Sequence, residues 1–290
     1  MNENSWLAER FEANRPHLRG VAYRILGSLS EADDAVQESW LKLSRSGTEG
    51  VENLGGWMTT VVARVCLDML RSRKSRREDL HGVQVPDQIL NSPGGLDPEQ
   101  EALMAESVGL AFLVVLERLE PAERLAFVLH DLFGVAFEEI APIVGRTVPA
   151  ARQLASRARR RVHGAATHDD PDFASQRDTV NAFLTALRNA DFEGLLAVLD
   201  PHVVVRAETP EGIREIRGAR NWAKGAIAFS QQARVVQPAL VDGKVGLLFA
   251  PYGRLSRAVR FTIRNSKITE VDLISEPDHL RDLDLATLSE

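Results

Sequence analysis

The sequence predicts a multidomain chain in which two all-α domains precede a C-terminal α+β domain. Apolar residues recur at threes and fours from about residue 6 to 79 and again from 98 to 163, which is the spacing of amphipathic helices. Residues 81–98, with three prolines and a Gly-Gly pair, interrupt that pattern. Beyond residue 177, two helical segments give way to short runs rich in β-branched residues, which indicate strands.

Composition limits the class of protein. The chain has 290 residues, 44% of them hydrophobic, which is enough for two or three modest cores. It contains no apolar run long enough to cross a bilayer and no basic-then-apolar signal segment, so we expect a cytoplasmic protein with no membrane partner. The single cysteine, Cys66, cannot form an internal disulfide, which is typical of a reducing compartment.

Breaks in the helical and strand patterns place the domain boundaries. The C-terminal part is predicted to begin with helices at 179–189 and 192–199 and to continue with strands at 203–208, 246–251, 257–263 and 267–274. The predicted order is a helical domain at 5–80, an acidic flexible linker at 81–105, a second helical domain at 106–163, a linker at 164–176, the α+β domain at 177–276 and a C-terminal tail at 277–290.

Charge is distributed unevenly along the chain. The net charge is −6, yet basic residues cluster at 71–77 and again at 157–161. Residues 81–105 between these clusters contain no Lys or Arg. Two basic patches joined by an acidic tether indicate a nucleic-acid partner for the helical domains.

Residues 137–162 (FEEIAPIVGRTVPAARQLASRARRRV) have the pattern of a helix-turn-helix. Gly145 suits the tight turn, Thr147 caps the second helix, and Pro142 predicts a short or kinked first helix. A packed helical pair with a solvated basic face is the alternative, but the turn, cap and charge together favour DNA. The exposed side chains suited to base edges or phosphates are Arg152, Gln153, Ser156, Arg157 and Arg160.

The segment SEADDAVQESWLKL, residues 30–43, predicts a helix with an acidic ridge. Ser30 is the predicted helix cap, and small and apolar residues take the face toward the core. The ridge, on the opposite face, consists of Asp33, Asp34, Gln37 and Glu38. A plain solvated helical face is the alternative interpretation of such a ridge.

The segment from Trp57 to Glu78 predicts an apolar helix whose end is strongly basic. It has an aromatic side chain at one end and cationic side chains along one side. Proteins hold single-stranded or melted DNA with this combination.

These three motifs occur in the order found in bacterial sigma factors, and residues 5–163 resemble the short extracytoplasmic-function (ECF) class of the sigma-70 family. The resemblance implies that the acidic ridge packs on the β′ clamp helices of RNA polymerase core and that the second domain contacts the β flap. It also implies that the helix-turn-helix residues named above read the minus-35 element of promoter DNA. The residues that it places at the opened minus-10 element are Trp57, Arg64, Asp68, Arg71 and Arg73.

The C-terminal domain is similar to SnoaL-like (NTF2-like) domains, which form a cone-shaped α+β fold. The similarity rests on the helical segment VNAFLTALRNADFEGLLAVLD, the segment GARNWAKGAIAF and the later strands. Some ECF sigma factors carry such an extension and end in Asn-Pro-Asp-Lys-Leu, which EPDHL at 276–280 resembles. This implies a regulatory contact at Glu276, Pro277, Asp278, His279 and Leu280. The Trp-Leu-Pro-Glu-Pro linker and the Asp-Gly-Gly-Gly segment of those relatives are missing here.

Enzymatic chemistry is the weaker interpretation of this domain. Related folds use a pocket carboxylate or histidine as general base, and the candidates are Asp200, His202, Asp242 and Asp272. Each is better explained as a helix end, a turn or a strand residue, although a pocket for an unknown small ligand stays open. His163 and His168 lack companion cysteines, so we expect neither a metal nor a cofactor.

The sequence therefore predicts a non-enzymatic sigma factor that directs RNA polymerase core to promoters, with its SnoaL-like domain regulating activity in cis. Two other interpretations remain. One is an autonomous helix-turn-helix activator, and the other is a SnoaL-type ligand-binding or enzyme domain fused to a DNA-binding arm.

Overall fold

The structure is a computed structural model, and it describes residues 3–46, 53–79, 109–164, 171–251 and 254–288. The chain forms two compact units. The first comprises residues 1–108 and 116–159, and the second comprises 109–115 and 160–290. The predicted linker at 81–105 lies outside the described residues.

Three helices form the N-terminal part of the first unit, as the apolar spacing predicts. They are α1 (Glu3–Leu26), α2 (Leu29–Ser46) and α3 (Leu54–Asp79). Fully buried side chains from all three helices make one core, for example Phe11 of α1, Leu43 of α2 and Met58 of α3. This packing leaves the other face of α2 and α3 in solvent.

The cap of α2 differs from the prediction. The helix begins at Leu29, and the Glu31 N–H donates to Ser28 Oγ (3.5 Å), so Ser28 occupies the cap position in place of Ser30. The Ser-Leu-Ser-Glu order places Ser28 three residues before Glu31, which is the spacing of a capping box. Ser30 lies inside the first turn.

Four further helical segments follow. They are α4 (Leu110–Glu117), α5 (Pro121–Phe127) with a π-helical turn at Val128–Leu132, α6 (Phe137–Val144) and α7 (Val148–His163). Gly145 ends α6 with φ 69°, in the left-handed region, and the Arg146 N–H donates to Ala141 O (3.0 Å). The Ala150 N–H donates to Thr147 Oγ1 (3.4 Å), which confirms the predicted cap of α7. Pro142 lies in α6, which has only eight residues. The helix-turn-helix is therefore confirmed.

The C-terminal part of the second unit combines helices with one mixed sheet. Its helices are α8 (Pro171–Arg188), α9 (Phe192–Val198), α10 (Ala219–Ile227), a 3-10 turn (Gln232–Val235) and α11 (Pro277–Asp282). Its strands are β1 (Leu199–Thr209), β2 (Gly212–Arg217), β3 (Val236–Val241), β4 (Lys244–Phe249), β5 (Arg257–Arg264), β6 (Lys267–Ile274) and β7 (Leu285–Thr287). The strand order is β2-β1-β6-β5-β4-β3-β7, and only β1 and β6 pair in parallel. This architecture confirms the predicted α+β class.

Two tight turns join neighbouring strands, and three strands were not predicted. Val241 pairs with Lys244, and Arg264 pairs with Lys267. No strand signal was found for β2, which is an exposed edge, for β3, which contains Pro238, or for β7, which has three residues.

The predicted tail and second linker are partly structured. Residues 277–282 form α11, and β7 completes the sheet by pairing Ala286 with Leu240 of β3. The α+β domain therefore continues about ten residues past the predicted boundary at 276. Similarly, α8 begins at Pro171, inside the predicted linker at 164–176.

Aromatic side chains fill the space between the helices and the inner face of the sheet. The Phe183 ring stacks on Trp222 (centroids 5.2 Å apart) and meets Phe261 edge-on (5.4 Å). All three are buried in one apolar core with residues of β1, β4 and β6.

None of the helices that the structure describes combines the length and the apolar composition that a membrane span requires.

Candidate nucleic-acid interface

The predicted acidic ridge lies on the solvent face of α2. Asp34, Gln37 and Glu38 are exposed, whereas Asp33 is half-buried and forms an ion pair with Arg19 (Nε to Oδ1, 2.7 Å). Leu41 continues the same face one turn later and is 42% exposed, so an apolar side chain borders the ridge. The sequence pattern alone did not single out Leu41.

Four of the predicted minus-10 residues share one stripe of α3. Trp57, Arg64, Asp68 and Arg71 follow one another at spacings of seven, four and three residues, so they lie along one helix face. The last three are exposed and Trp57 is half-buried. At 1.5 Å of rise per residue, the stripe is about 21 Å long. The opposite face carries Cys66, whose thiol pKa is raised by burial.

Arg73, the fifth predicted minus-10 residue, has a different environment. Its guanidinium donates to Leu26 O (3.3 Å) and to the Glu31 carboxylate. Arg73 therefore joins the end of α3 to the turn between α1 and α2, and in this structure it is engaged within the protein.

Helix α5 packs on the N-terminal helices through a buried arginine, and we call this surface the α5–α3 contact. Arg124 is fully buried, and its Nη2 donates to Arg24 O (3.5 Å). Its Nε has no hydrogen-bond partner among the described residues. Burial lowers the pKa of Arg124 to about 10, against the opposing effect of the Glu117 carboxylate. No sequence motif marked Arg124.

Two peripheral interactions extend the α5–α3 contact. Lys74 Nζ of α3 lies 2.7 Å from Glu120 Oε2, where both side chains are about half-exposed. Phe133, just after the π-helical turn, meets the His17 ring edge-on (5.5 Å) and lies under the Arg24 guanidinium (5.5 Å). The two helical domains are therefore in direct contact within the first unit.

All five predicted minus-35 residues are exposed on α7, but they differ in their partners. Arg152 Nη2 lies 3.3 Å from Glu138 Oε1, and Arg157 Nε lies 3.5 Å from Glu123 Oε1. No such acidic partner is found for Arg160 in the described part of the chain. Arg159 also has a partner, since its Nε donates to Asp131 Oδ1 (2.8 Å). Carboxylates of the preceding helical segments therefore hold three α7 arginines.

The segment 276–280 packs on its own domain. The Glu208 carboxylate of β1 accepts from the N–H groups of Ser275 (2.7 Å) and Glu276 (2.8 Å) and from His279 Nδ1 (2.6 Å). Partial burial raises the pKa of Glu208, but these hydrogen bonds lower it overall, and the Glu208 carboxylate raises the pKa of His279. Leu280 is buried. The predicted regulatory role of this segment stays a prediction.

The four candidate general bases lie in two separate places. Asp200 Oδ1 accepts from the His202 N–H (2.8 Å), and His202 is exposed. Arg260 donates to Asp242 (2.8 Å) and to Asp272 (3.1 Å) on the outer face of the sheet. A cavity of about 350 Å³ is lined in part by Asp242, Arg260 and Asp272, and the charges of these three side chains are paired with one another. Within the described ranges, no cluster of three or more His, Cys, Asp or Glu side chains could hold a metal ion.

The sequence matches two protein families. Sigma-70 region 2 covers residues 10–76, and Sigma-70, region 4 covers residues 109–162. The chain is 36% identical over 286 residues to the ECF RNA polymerase sigma factor SigJ of Mycobacterium tuberculosis, covering 92% of this chain and 91% of SigJ. It is 31% identical over 280 residues to the probable ECF RNA polymerase sigma factor SigI of the same species, covering 97% of each.

Two solved structures resemble all or part of the chain. The crystal structure of Mycobacterium tuberculosis SigJ covers 93% of this chain and 97% of that chain, at 32% identity and a TM-score of 0.44. An NTF2-like protein of unknown function from Cytophaga hutchinsonii covers 36% of this chain and 93% of its own, at 18% identity and a TM-score of 0.26.

Proposed function

We propose a division of labour among named surfaces, starting from the fact that this chain belongs to the ECF RNA polymerase sigma factors. As an alternative sigma factor, it directs RNA polymerase core to promoters. The observation that supports the proposal is the exposure of three separate polar surfaces within the two matched regions. These surfaces are the α2 ridge, the α3 stripe and the outer face of α7.

The α2 ridge docks on the β′ clamp helices of core polymerase. Asp34 and Glu38 supply negative charge, Gln37 supplies an amide, and Leu41 adds an apolar contact at the edge. Protein interfaces commonly combine apolar and polar side chains in one surface. Region 4 contacts the β flap, which sets its distance from region 2 on the polymerase.

The α3 stripe holds the opened minus-10 element. Trp57 offers a ring on which an unpaired base stacks, and Arg64 and Arg71 offer charge to the single strand. Opening of the duplex is then driven by the binding free energy of the exposed bases and requires no nucleotide hydrolysis by this chain.

The outer face of α7 reads the minus-35 element as duplex DNA. An arginine near the start of a recognition helix reaches base edges, and its fork fits guanine O6 and N7. Arg152 and Gln153 lie in this position, whereas Arg160 lies farther along the helix and is placed for phosphates.

Transcription separates this function from its two alternatives. Purified chain and core polymerase are assayed by run-off transcription on genomic fragments, and we expect promoter-specific transcripts only with both components. Tight operator binding without polymerase, and no specific transcripts, would favour an autonomous activator. Turnover of a small molecule by the C-terminal domain, without transcripts, would favour an enzyme fused to a DNA-binding arm.

The SnoaL-like domain, residues 171–288, regulates region 4 in cis. Within the second unit, the Ala111 N–H donates to Gln237 Oε1 (2.9 Å), and Thr287 Oγ1 donates to Val162 O (2.9 Å). The domain therefore contacts both the first helix of region 4 and the end of its recognition helix. Since the two promoter elements lie several tens of ångströms apart, regions 2 and 4 must separate to engage both.

Two truncations test the regulatory role. One ends near residue 170 and removes the SnoaL-like domain, and one ends near residue 275 and removes α11 and β7. We expect both to change promoter-specific transcription and the scattering dimensions of the free protein. If both truncated chains match the full chain in both assays, the domain is not a regulator.

A further inference from the structure

Two residues of the first helix of the helix-turn-helix hold the guanidinium of Arg152. Its Cζ lies over the Phe137 ring, 5.7 Å from the centroid, and its Nη2 lies 3.3 Å from Glu138 Oε1. Phe137 and Glu138 are the first two residues of α6, and Arg152 lies in the second turn of α7. The side chain proposed to read the minus-35 element is thus held by groups outside the recognition helix.

The Phe137 ring is itself fixed by His130. The two rings stack with centroids 3.9 Å apart and an interplanar angle of 29°. His130 Nδ1 lies 3.0 Å from Val135 O, and because a carbonyl only accepts, Nδ1 carries the proton. His130 belongs to the π-helical turn, so this turn supports the Phe137 ring against which Arg152 packs.

Fixing an arginine affects both the affinity and the selectivity of its binding. A solvent-exposed arginine samples many rotamers and can contact neighbouring bases or phosphates instead of one base pair. An arginine that is already oriented loses less conformational entropy when it binds its target. It also makes fewer alternative contacts. Gln153, its neighbour along the chain, is exposed, and in the described part of the chain no ring or carboxylate contact is found for its amide.

We propose that Phe137, supported by the His130 ring, and Glu138 are positioning residues that determine specificity at the one minus-35 base pair read by Arg152. This inference rests on the proposed readout by Arg152. None of the three residues needs to touch that base pair. Loosening them lets Arg152 spread its contacts to adjacent positions, so selectivity falls at one base pair while overall binding is retained.

The test measures base preference with the full chain and core polymerase on promoters randomised across the minus-35 element. The variants are R152A, E138Q, F137L and E139Q. Glu139 is a matched control, because it is an exposed carboxylate of the same helix turn without a contact to Arg152 in the described structure. E138Q and E139Q remove the same charge near DNA, so any general electrostatic effect appears in both.

We expect R152A to lose roughly tenfold or more of the preference at one promoter position. E138Q and F137L should lose about threefold at that same position and leave the other positions unchanged, since they loosen the arginine without removing it. E139Q should keep the full preference. Adding E138Q to R152A should change nothing further, because the residue that Glu138 orients is already absent.

Each contrary result has a distinct meaning. If R152A keeps the preference, direct readout by Arg152 is wrong and the inference falls with it. If R152A loses it but E138Q behaves as E139Q does, and F137L weakens all promoters equally, the readout stands and the positioning role is wrong. A further loss of preference in the R152A/E138Q double variant would mean that Glu138 acts on the DNA itself, which also overturns the inference.

Discussion

The two basic helices, α3 in region 2 and α7 in region 4, hold their exposed arginines differently. On α7, Arg152, Arg157 and Arg159 each have a carboxylate partner from a preceding helical segment. On the α3 stripe, Arg64 and Arg71 have no ion pair with any residue that the structure describes. Duplex DNA presents base edges in a fixed geometry, whereas an opened strand is pliable. Fixed arginines therefore suit duplex readout, and mobile ones suit the capture of melted DNA.

The largest effect is expected when the chain can no longer bind core polymerase, because neither α3 nor α7 is then brought to a promoter. Reversing the charge of Asp34 and Glu38 to Lys should abolish binding to core polymerase, because both carboxylates are exposed on the α2 ridge. Co-purification with core polymerase measures the effect, and circular dichroism checks helicity. A double variant with Glu9 and Glu12 changed to Lys has the same charge and should still bind. Retention of the ridge variant on core polymerase would contradict the docking role.

The second largest effect is expected at α7, and it tests whether a fixed arginine of this helix reads a base. Replacing Arg152 by Ala should cost about 1–3 kcal/mol at one minus-35 position and relax specificity there. Replacing Arg160 by Ala should weaken all sequences about equally, since it is placed for phosphates. Competition binding of holoenzyme to promoter variants measures both. An unchanged sequence preference for the Arg152 variant would mean that Arg152 does not read a base, and the proposed contrast between α7 and α3 would then be wrong.

A smaller effect is expected at α3, and it tests whether arginines without ion pairs bind the opened strand without reading its sequence. Replacing Arg71 by Ala should weaken binding to a pre-opened minus-10 template on all sequences and reduce the salt slope of binding by about one unit. Fluorescence anisotropy at several salt concentrations measures this. Replacing Arg73 by Ala should instead reduce thermal stability, because its guanidinium joins α3 to Glu31 and Leu26 O. A sequence-specific loss from the Arg71 variant would show fixed readout on α3 too.

The α5–α3 contact gives a still smaller effect on stability. Replacing Arg124 by Met should leave the first unit equally stable or stabilise it by about 1 kcal/mol or more, because a well-packed apolar side chain avoids the desolvation of a charge. Replacing Lys74 by Ala should change stability by about 0–1 kcal/mol, since its ion pair with Glu120 is exposed. Thermal unfolding measures both. Strong destabilisation by Met would mean that the guanidinium makes essential polar contacts.

The smallest effect concerns the C-terminal α+β domain. Because Glu208 raises the pKa of His279, their contact stabilises the fold fully below the ordinary value of 6.5 and loses this contribution as pH rises through the raised pKa. The melting temperature should fall slightly across that window, and H279Q should remove the slope. A slope that persists in H279Q would assign it to other groups.

Much of the fold followed from the sequence because its signals are local. Gly145 and Thr147 mark the turn and cap of the helix-turn-helix, and the observed φ of Gly145 and hydrogen bond of Thr147 match that assignment. The misplaced cap at Ser30 came from two serines separated by a single residue, either of which satisfies the local rule. Strand β7 was missed because its partner β3 lies far earlier in the chain, whereas β2 pairs with the adjacent β1 but is an exposed edge with no buried face to mark it.

The candidate surfaces could be predicted from the sequence, but the side chains of this chain that contact them could not. Helical spacing alone placed Asp34, Arg64 and Arg152 in solvent. The contacts of Arg124 with Arg24 and of Arg152 with Phe137 join residues that are distant in the sequence and belong to no periodic pattern. Whether an arginine is fixed or mobile is decided by tertiary packing, which single-sequence patterns do not encode.

The burial of Arg124 gives the α5–α3 contact a temperature dependence. Opening the contact returns a guanidinium to water, and the hydration of a charge becomes less favourable as temperature rises. The apolar surface that closes around it is also held more weakly on cooling. Both contributions act in the same direction, so we expect regions 2 and 4 of the free chain to separate more readily in the cold and to close as the temperature rises.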